Sequence, residues 1–580
     1  MKKVTILFII AGFLLITGYV YVRYTLRTKK FTPVVVKEKS AQPEKQETVL
    51  DLRPRIIAKL QQLVKEGSDG LYNLSIHDVE PDILASKLVV INAVLIPDTS
   101  ALNRLDLLKK APNDVFKISF DSLQIDGIGI NDFLSKNSID LKLIVLSNPK
   151  MEVYHKNRPY NKTHKSDSSK LYQRLAGSIK HLGISSIVIR NGKLISHNLI
   201  KNKVNDYNDI KIKISGLLID STTEFDKDRF LYAKAVEISM KNYKVPSSDK
   251  LYDFKIGSLV ISANKHVLNA QNVALLPRFS KKQFQKHIKT KTERYDISIP
   301  FIGFKNINWW DIVNGEGLRA DELDVSNGKF NIYLDLTPPS SKKTNIQNYP
   351  QQMLMKVGYP IYISRFKVHN IEVAYEEFHP GSGKSGTISF DHINGEIKSL
   401  TNIPEEIRKN NQTVVTASGQ FMNRVPVSAM VHFDLSKYKT GAFSADLKMG
   451  GFDGTMLNPA TESMGLFMIK RGTVNSAKAH IDADNYKGYT KVMFLYNDLH
   501  ITPLKKDSSR ADGFKKKSVL SFVANTFVIK DQNPSKLEKP RIGEGASKRN
   551  PHSTFFNFIW KTTMVGILKT IGIPQKYAAN

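Results

Sequence analysis

Val425–Leu435 reads VPVSAMVHFDL, and its alternate positions Val425, Val427, Ala429, Val431, Phe433 and Leu435 are all apolar. Gly441–Gly450, GAFSADLKMG, repeats the pattern with Phe443, Ala445, Leu447 and Met449. A period of two puts every second side chain on one face of a pleated strand. LFMIKRGTVNSAKAHIDA (Leu466–Ala483) and GYTKVMFLYNDLHI (Gly488–Ile501) carry the pattern on, through Arg471-Gly472 and a turn near Asn485. These are long antiparallel strands, apolar on one side and polar on the other.

A sheet with one apolar face must cover it. Helical patterns are few: 56–66, about 169–182, 515–528 and 554–571. The sheet must therefore curl, pack on another sheet, or leave a groove for an apolar ligand. The expected fold is mainly β: an elongated, curled antiparallel sheet with an apolar groove, few short helices and an N-terminal transmembrane helix. Val427, Val431, Phe433, Phe443, Leu447 and Met449 are the groove-facing candidates, and ordinary core packing is their competing reading.

Upstream, a strand–turn–strand pattern recurs in SLQIDGIGI (Leu123, Ile125, Gly127), SIVIRNGKLI (Ile187, Ile189, Gly192) and SLVISANKHVL (Leu259, Ile261, Asn264). It returns in ELDVSNGKFNIYL (Leu323, Val325, Gly328) and RFKVHNIEVAY (Phe366, Val368, Asn370). Asn-Gly and Asp-Gly supply the positive φ of tight reversals. The separations of 64, 72, 64 and 43 residues between successive occurrences are too irregular for a solenoid. Residues 50–400 thus read as a repeated-hairpin region and 401–513 as an antiparallel meander.

Val4–Val22 is uncharged throughout. Its 19 residues make a helix of roughly 28 Å, close to the hydrocarbon thickness of a bilayer. Tyr19, Tyr21 and Tyr24 lie at its far end, where aromatic rings favour the interface. Residues 1–27 read as a single-pass anchor with a short cytoplasmic tail. Residues 28–49, with Pro33 and Pro43, read as a polar linker. The tail, 514–580, contains FFNFIWKTTMVGILKTIGI (Phe555–Ile573), where only Lys561 and Lys569 are charged. Phe555, Phe556, Phe558 and Trp560 are its membrane-tail candidates, on a helix that lies at an interface or docks on protein.

The 580 residues contain no cysteine, which excludes disulfide scaffolds, thiol nucleophiles and Cys-based zinc or iron–sulfur sites. It also suits export to an oxidising compartment. GSGKSGT (Gly381–Thr387) has Phe378 where a phosphate loop needs glycine, so it reads as a hairpin loop. His155 and His164 sit in a basic loop that would repel a cation, and no metal ligand set, catalytic triad or cofactor motif appears. With 85 Lys+Arg against 54 Asp+Glu the net charge is +31. For an exported protein this charge points to lipid phosphates and away from nucleic acid.

Assembled in this order, the chain resembles the AsmA-like proteins of Gram-negative envelopes, in the Bacteroidetes version. The resemblance rests on the anchor followed by ISFDSLQIDGIGINDFLSKNSIDLKLIVLSNPKMEVYH (Ile118–His155). More specific is the C-terminal series MLNPA (Met456–Ala460), LYNDLHI, SFVANTFVIKDQNP and STFFNFIWKTTMVGILKTIGI. It implies an inner-membrane protein, anchored through 4–22, with its bulk in the periplasm. It implies binding or conduction of phospholipids along an apolar β groove, in support of outer-membrane homeostasis, and no catalytic residues. The alternative is a structural or assembly factor that contacts an outer-membrane or envelope protein through the C-terminal tail, without conducting lipid.

Overall fold

The computed structural model describes residues 51–580, apart from 69, 129–137, 162–180, 200–202, 224, 225, 227, 342, 343, 466, 507–513, 517–529 and 573–580. The expected anchor at 4–22 and the linker lie outside the described residues, as do His164, most of the expected helix at 169–182 and most of that at 515–528. Where the last two are described, His181 and Leu182 open a strand and Phe514–Lys516 forms one.

Among the described residues the protein is mainly β, with 57% strand and 18% helix. Two compact units are present. One holds the described residues up to Val245 with Gly257–Leu268 and Asn308–Glu316; the other holds Pro246–Ile256, Asn269–Ile307 and the residues from Gly317 onward.

The chain carries one eight-strand plan twice. The first copy comprises β1 (Tyr72–Asp82), β2 (Lys87–Pro97), β3 (Asp114–Asp126), β4 (Ser138–Ser147), β5 (Lys150–His155), β6 (His181–Asn198), β7 (Lys203–Ile219) and β8 (Ala233–Pro246). The second comprises β9 (Tyr252–Ser262), β10 (Val267–Pro277), β11 (Arg294–Lys305), β12 (Leu318–Ser326), β13 (Lys329–Asp335), β14 (Ile361–His379), β15 (Lys384–Thr401) and β16 (Gln412–Phe421). In the first, β4 and β5 lie end to end along β3, and β6 runs parallel to both. In the second, β12 and β13 do the same along β11, and β14 runs parallel to both.

The match extends to single hydrogen bonds. Asn148 and Asn191 have φ of 50° and 52°; 179 residues further on, Asn327 and Asn370 have 58° and 52°. Asparagine tolerates this left-handed backbone better than most residues. In each copy a tyrosine hydroxyl accepts a backbone N–H at 3.2 Å: Tyr72 from Phe116, and Tyr252 from Tyr295.

The expected all-antiparallel sheet is therefore corrected to a mixed one. A parallel pair needs a long crossover. Residues 156–180 supply it in the first copy and 336–360 in the second, 25 residues each. GSGKSGT closes the β14–β15 hairpin, with Gly383 at φ 72°.

After β16 the meander follows the reading: β17 (Val425–Asp434), β18 (Phe443–Met449), β19 (Phe452–Asp453), β20 (Phe467–Ala483) and β21 (Lys487–Lys506). β22 (Phe514–Lys516) and β23 (Ile542–Lys548) both pair with β21. Helices cover particular stretches. Arg53–Gly67 lays Ile56, Ile57 and Leu60 on Val79, Leu88 and Val90. Phe555–Thr570 covers β20, β21 and β23.

Candidate functional site

Cross-strand register assembles the second unit's apolar face into rows. One row runs Phe304, Leu323, Phe366, Ile397, Val415, Val431, Ala445, Ile481, Thr490 and Gly545, one residue from each of β11, β12, β14, β15, β16, β17, β18, β20, β21 and β23. Its neighbour, two residues along each strand, runs Ile302, Val325, Val368, Gly395, Ala417, Ala429, Leu447, Ala479, Val492 and Gly543. No charged side chain interrupts either row. Nine spacings of ~4.8 Å make this lane ~43 Å long.

Cover varies along it. From Val431 to Gly545 the first row is buried, whereas Phe304, Leu323, Phe366, Ile397 and Val415 are only half-buried. The second row has a small-residue floor, Gly395, Ala417 and Ala429, also half-buried. The first copy has a more closed lane: Val79, Val90, Leu123, Leu146, Ile189, Ile212 and Ile238 line up across β1, β2, β3, β4, β6, β7 and β8, all buried but Leu123, which is half-buried. Against that face lies a cavity of about 30 Å³, lined by residues including Ile118, Leu146, Met151 and Leu194.

The opposite face is polar, as the alternation requires. Glu322 on β12 meets Lys305 at 2.6 Å, Lys367 at 2.7 Å and Arg365 at 3.8 Å. Hydrogen bonds from Lys305 and then Lys367 hold its carboxyl down to about 2.

The groove candidates divide. Val431, Phe433 and Phe443 form a core cluster with Tyr349 and Phe558, and Leu447 packs against it. Val427 and Met449, paired across β17 and β18, are half-buried. Of the tail candidates, Phe558 is 1% exposed and Phe555 stacks edge-on against Phe443 with ring centroids 5.0 Å apart, while Phe556 and Trp560 are 77% and 59% exposed.

Glycines let the C-terminal helix approach the sheet. A Cβ on Gly543 would fall 1.9 Å from the Gly566 carbonyl oxygen, and one on Gly566 would fall 2.2 Å from Val492. At its start, Thr554 accepts the Asn557 N–H; at its end, Arg541 donates to the Thr570 carbonyl at 3.2 Å, where a cation suits the helix dipole. Arg549, 5% exposed, stacks 4.1 Å over the Tyr349 ring and donates to the carbonyls of Asn345 and Ser553. Burial pulls its pKa down.

Sequence reasoning missed the open part of the lane. Phe366 and Val368 lay within a quoted repeat, but nothing local distinguishes a half-covered face from a sealed one. Among the described residues no cluster of His, Asp or Glu could hold a metal ion, and no helix is long and apolar enough to cross a membrane. No family model and no curated protein matches the chain.

Proposed function

We propose that the protein is a membrane-anchored component of the periplasm that binds or conducts phospholipid, sheltering acyl chains on the half-open lane of β11–β16 and so supporting the outer membrane. The observation that carries this reading is the pair of uncharged rows, half-buried from β11 to β16 except at Val325, before the C-terminal helix covers them. Each methylene removed from water there contributes ~0.8 kcal/mol. The floor offers no side-chain hydrogen-bonding group, so the headgroup stays at the wet margin. A run of similar weak contacts lets a chain slide where a single deep pocket would hold it. The net charge of +31 suits lipid phosphates.

The test is mass spectrometry of lipid extracted from the purified full chain. Phospholipid should co-purify, and Ile397→Asp, on the half-open stretch, should lose most of it with the fold intact. Val431→Asp lies in the sealed core and should unfold the second unit instead. Wild-type protein free of phospholipid, or Ile397→Asp retaining it in full, would reject the proposal.

A further inference from the structure

The C-terminal helix has two apolar sides, and the sheet uses only one. Phe558, Thr562, Val565, Gly566 and Thr570 are buried. On the reverse, Phe556, Trp560 and Met564 recur at i, i+4 and i+8, a stripe along the helix axis. Phe556 and Trp560 are mostly exposed, and Met564 is half-exposed. Thr563, beside the stripe, spends its hydroxyl on the Ile559 carbonyl at 2.9 Å. Nothing in the core requires this outward stripe, since the helix is already fixed by its inner glycines and its caps.

Charge indicates what covers it. From Gly545 to Asn580 the sequence has no Asp or Glu, but it has Lys548, Arg549, Lys561, Lys569 and Lys576. Lys561 and Lys569 are exposed on the helix itself. Glu544 of β23 lies close enough to Lys569 to offset its charge, which leaves Lys561 as the free cation of the helix. Phe and Trp on one side, with Lys561 beside them, suit the boundary of headgroups and acyl chains. We propose that the outward face of the C-terminal helix docks on an anionic lipid bilayer, with the helix lying in the plane of the surface. Phe556 and Trp560 enter the headgroup layer and Lys561 meets lipid phosphates. This proposal is independent of whether the lane holds lipid.

The absence of native cysteine makes a single-site probe possible. The full chain is held in phosphatidylcholine nanodiscs, with a bimane fluorophore on Asn557→Cys, an exposed position flanking the stripe. Acceptor vesicles carry nitroxide-labelled lipid in phosphatidylglycerol or in phosphatidylcholine alone. Phosphatidylglycerol vesicles should quench the probe, and added salt should weaken the effect. A probe on Lys448→Cys, exposed on the polar face, should stay bright. Phe556→Ser with Trp560→Ser should raise the lipid concentration needed by at least ~10-fold. Unchanged hydrogen-exchange protection of residues 558–570 would show that the helix remains docked. Equal quenching at both probe positions, no quenching by anionic vesicles, or crosslinking of this face to a protein with no lipid quenching would each overturn the proposal.

Discussion

Gly543 and Gly566 cross at backbone contact: the Gly566 carbonyl occupies the space where a side chain on Gly543 would begin. Gly543→Ala must therefore push the C-terminal helix off β23, with the cost of overpacking at ~1–3 kcal/mol. The denaturant midpoint of the second unit should fall, and amides of 555–570 should exchange faster than those of β14 and β15. Unchanged protection in the helix would show that the crossing is not tight.

Thr562 is fully buried beneath that helix, and its hydroxyl has no hydrogen-bond partner. An unpaired buried hydroxyl costs about 1–3 kcal/mol. Thr562→Val keeps the shape and removes the polar atom, so it should raise stability by about 1 kcal/mol, read as an upward shift of the unfolding midpoint. A loss of stability would mean that the hydroxyl is satisfied in solution.

Asn370 holds φ at 52° and donates from its side-chain amide to the Asn327 side-chain oxygen at 2.8 Å. Asn191 repeats this arrangement with Asn148 at 3.2 Å. Asn370→Val places a β-branched residue in left-handed backbone, at a cost of about 1–2 kcal/mol plus the lost bond. Asn370→Gly should lose less, because only the side-chain bonds to Asn327 and His392 go. Comparison of the two midpoints separates strain from hydrogen bonding, and the same order should hold at Asn191.

Glu322 titrates well below an ordinary glutamate because Lys305 and Lys367 favour its charged form. A depressed folded-state value stabilises the fold above the unfolded-state pKa near 4.5, and that contribution is lost as pH falls from about 4.5 to about 2. Glu322→Gln should flatten this part of the acid-unfolding curve of the second unit. It should also lower stability at neutral pH, where three cations would lose their shared carboxylate. An acid limb identical to that of the wild type would rule out Glu322 as its source.

Period-two patterning located β17, β18, β20 and β21 and the face they turn inward, because alternation follows directly from the pleat. It could not show what lies on that face: Val431 and Val415 have the same pattern, and their different burial depends on how far Tyr349 and the C-terminal helix reach across the sheet. The duplication was present in the quoted repeats, since Ile187 and Phe366 stand 179 residues apart at equivalent places in β6 and β14. Differences between successive occurrences hid it, because they compared β3 with β6 and β9 with β12. The parallel pairs were also illegible. The 25-residue crossovers have no strand period, and the direction in which a strand returns leaves no trace in its own residues.

Two backbones of one pattern, with asparagines bent at the same places, end in different states: one nearly closed, the other half-exposed along part of its width. Under the proposed function, room for an oily guest is a property of trimmed side chains and of what lies across them, and the hydrogen-bonded frame need not change for it. Such a frame gives evolution a spare casting, in which a few methylenes added or removed can decide whether a surface serves cohesion or cargo.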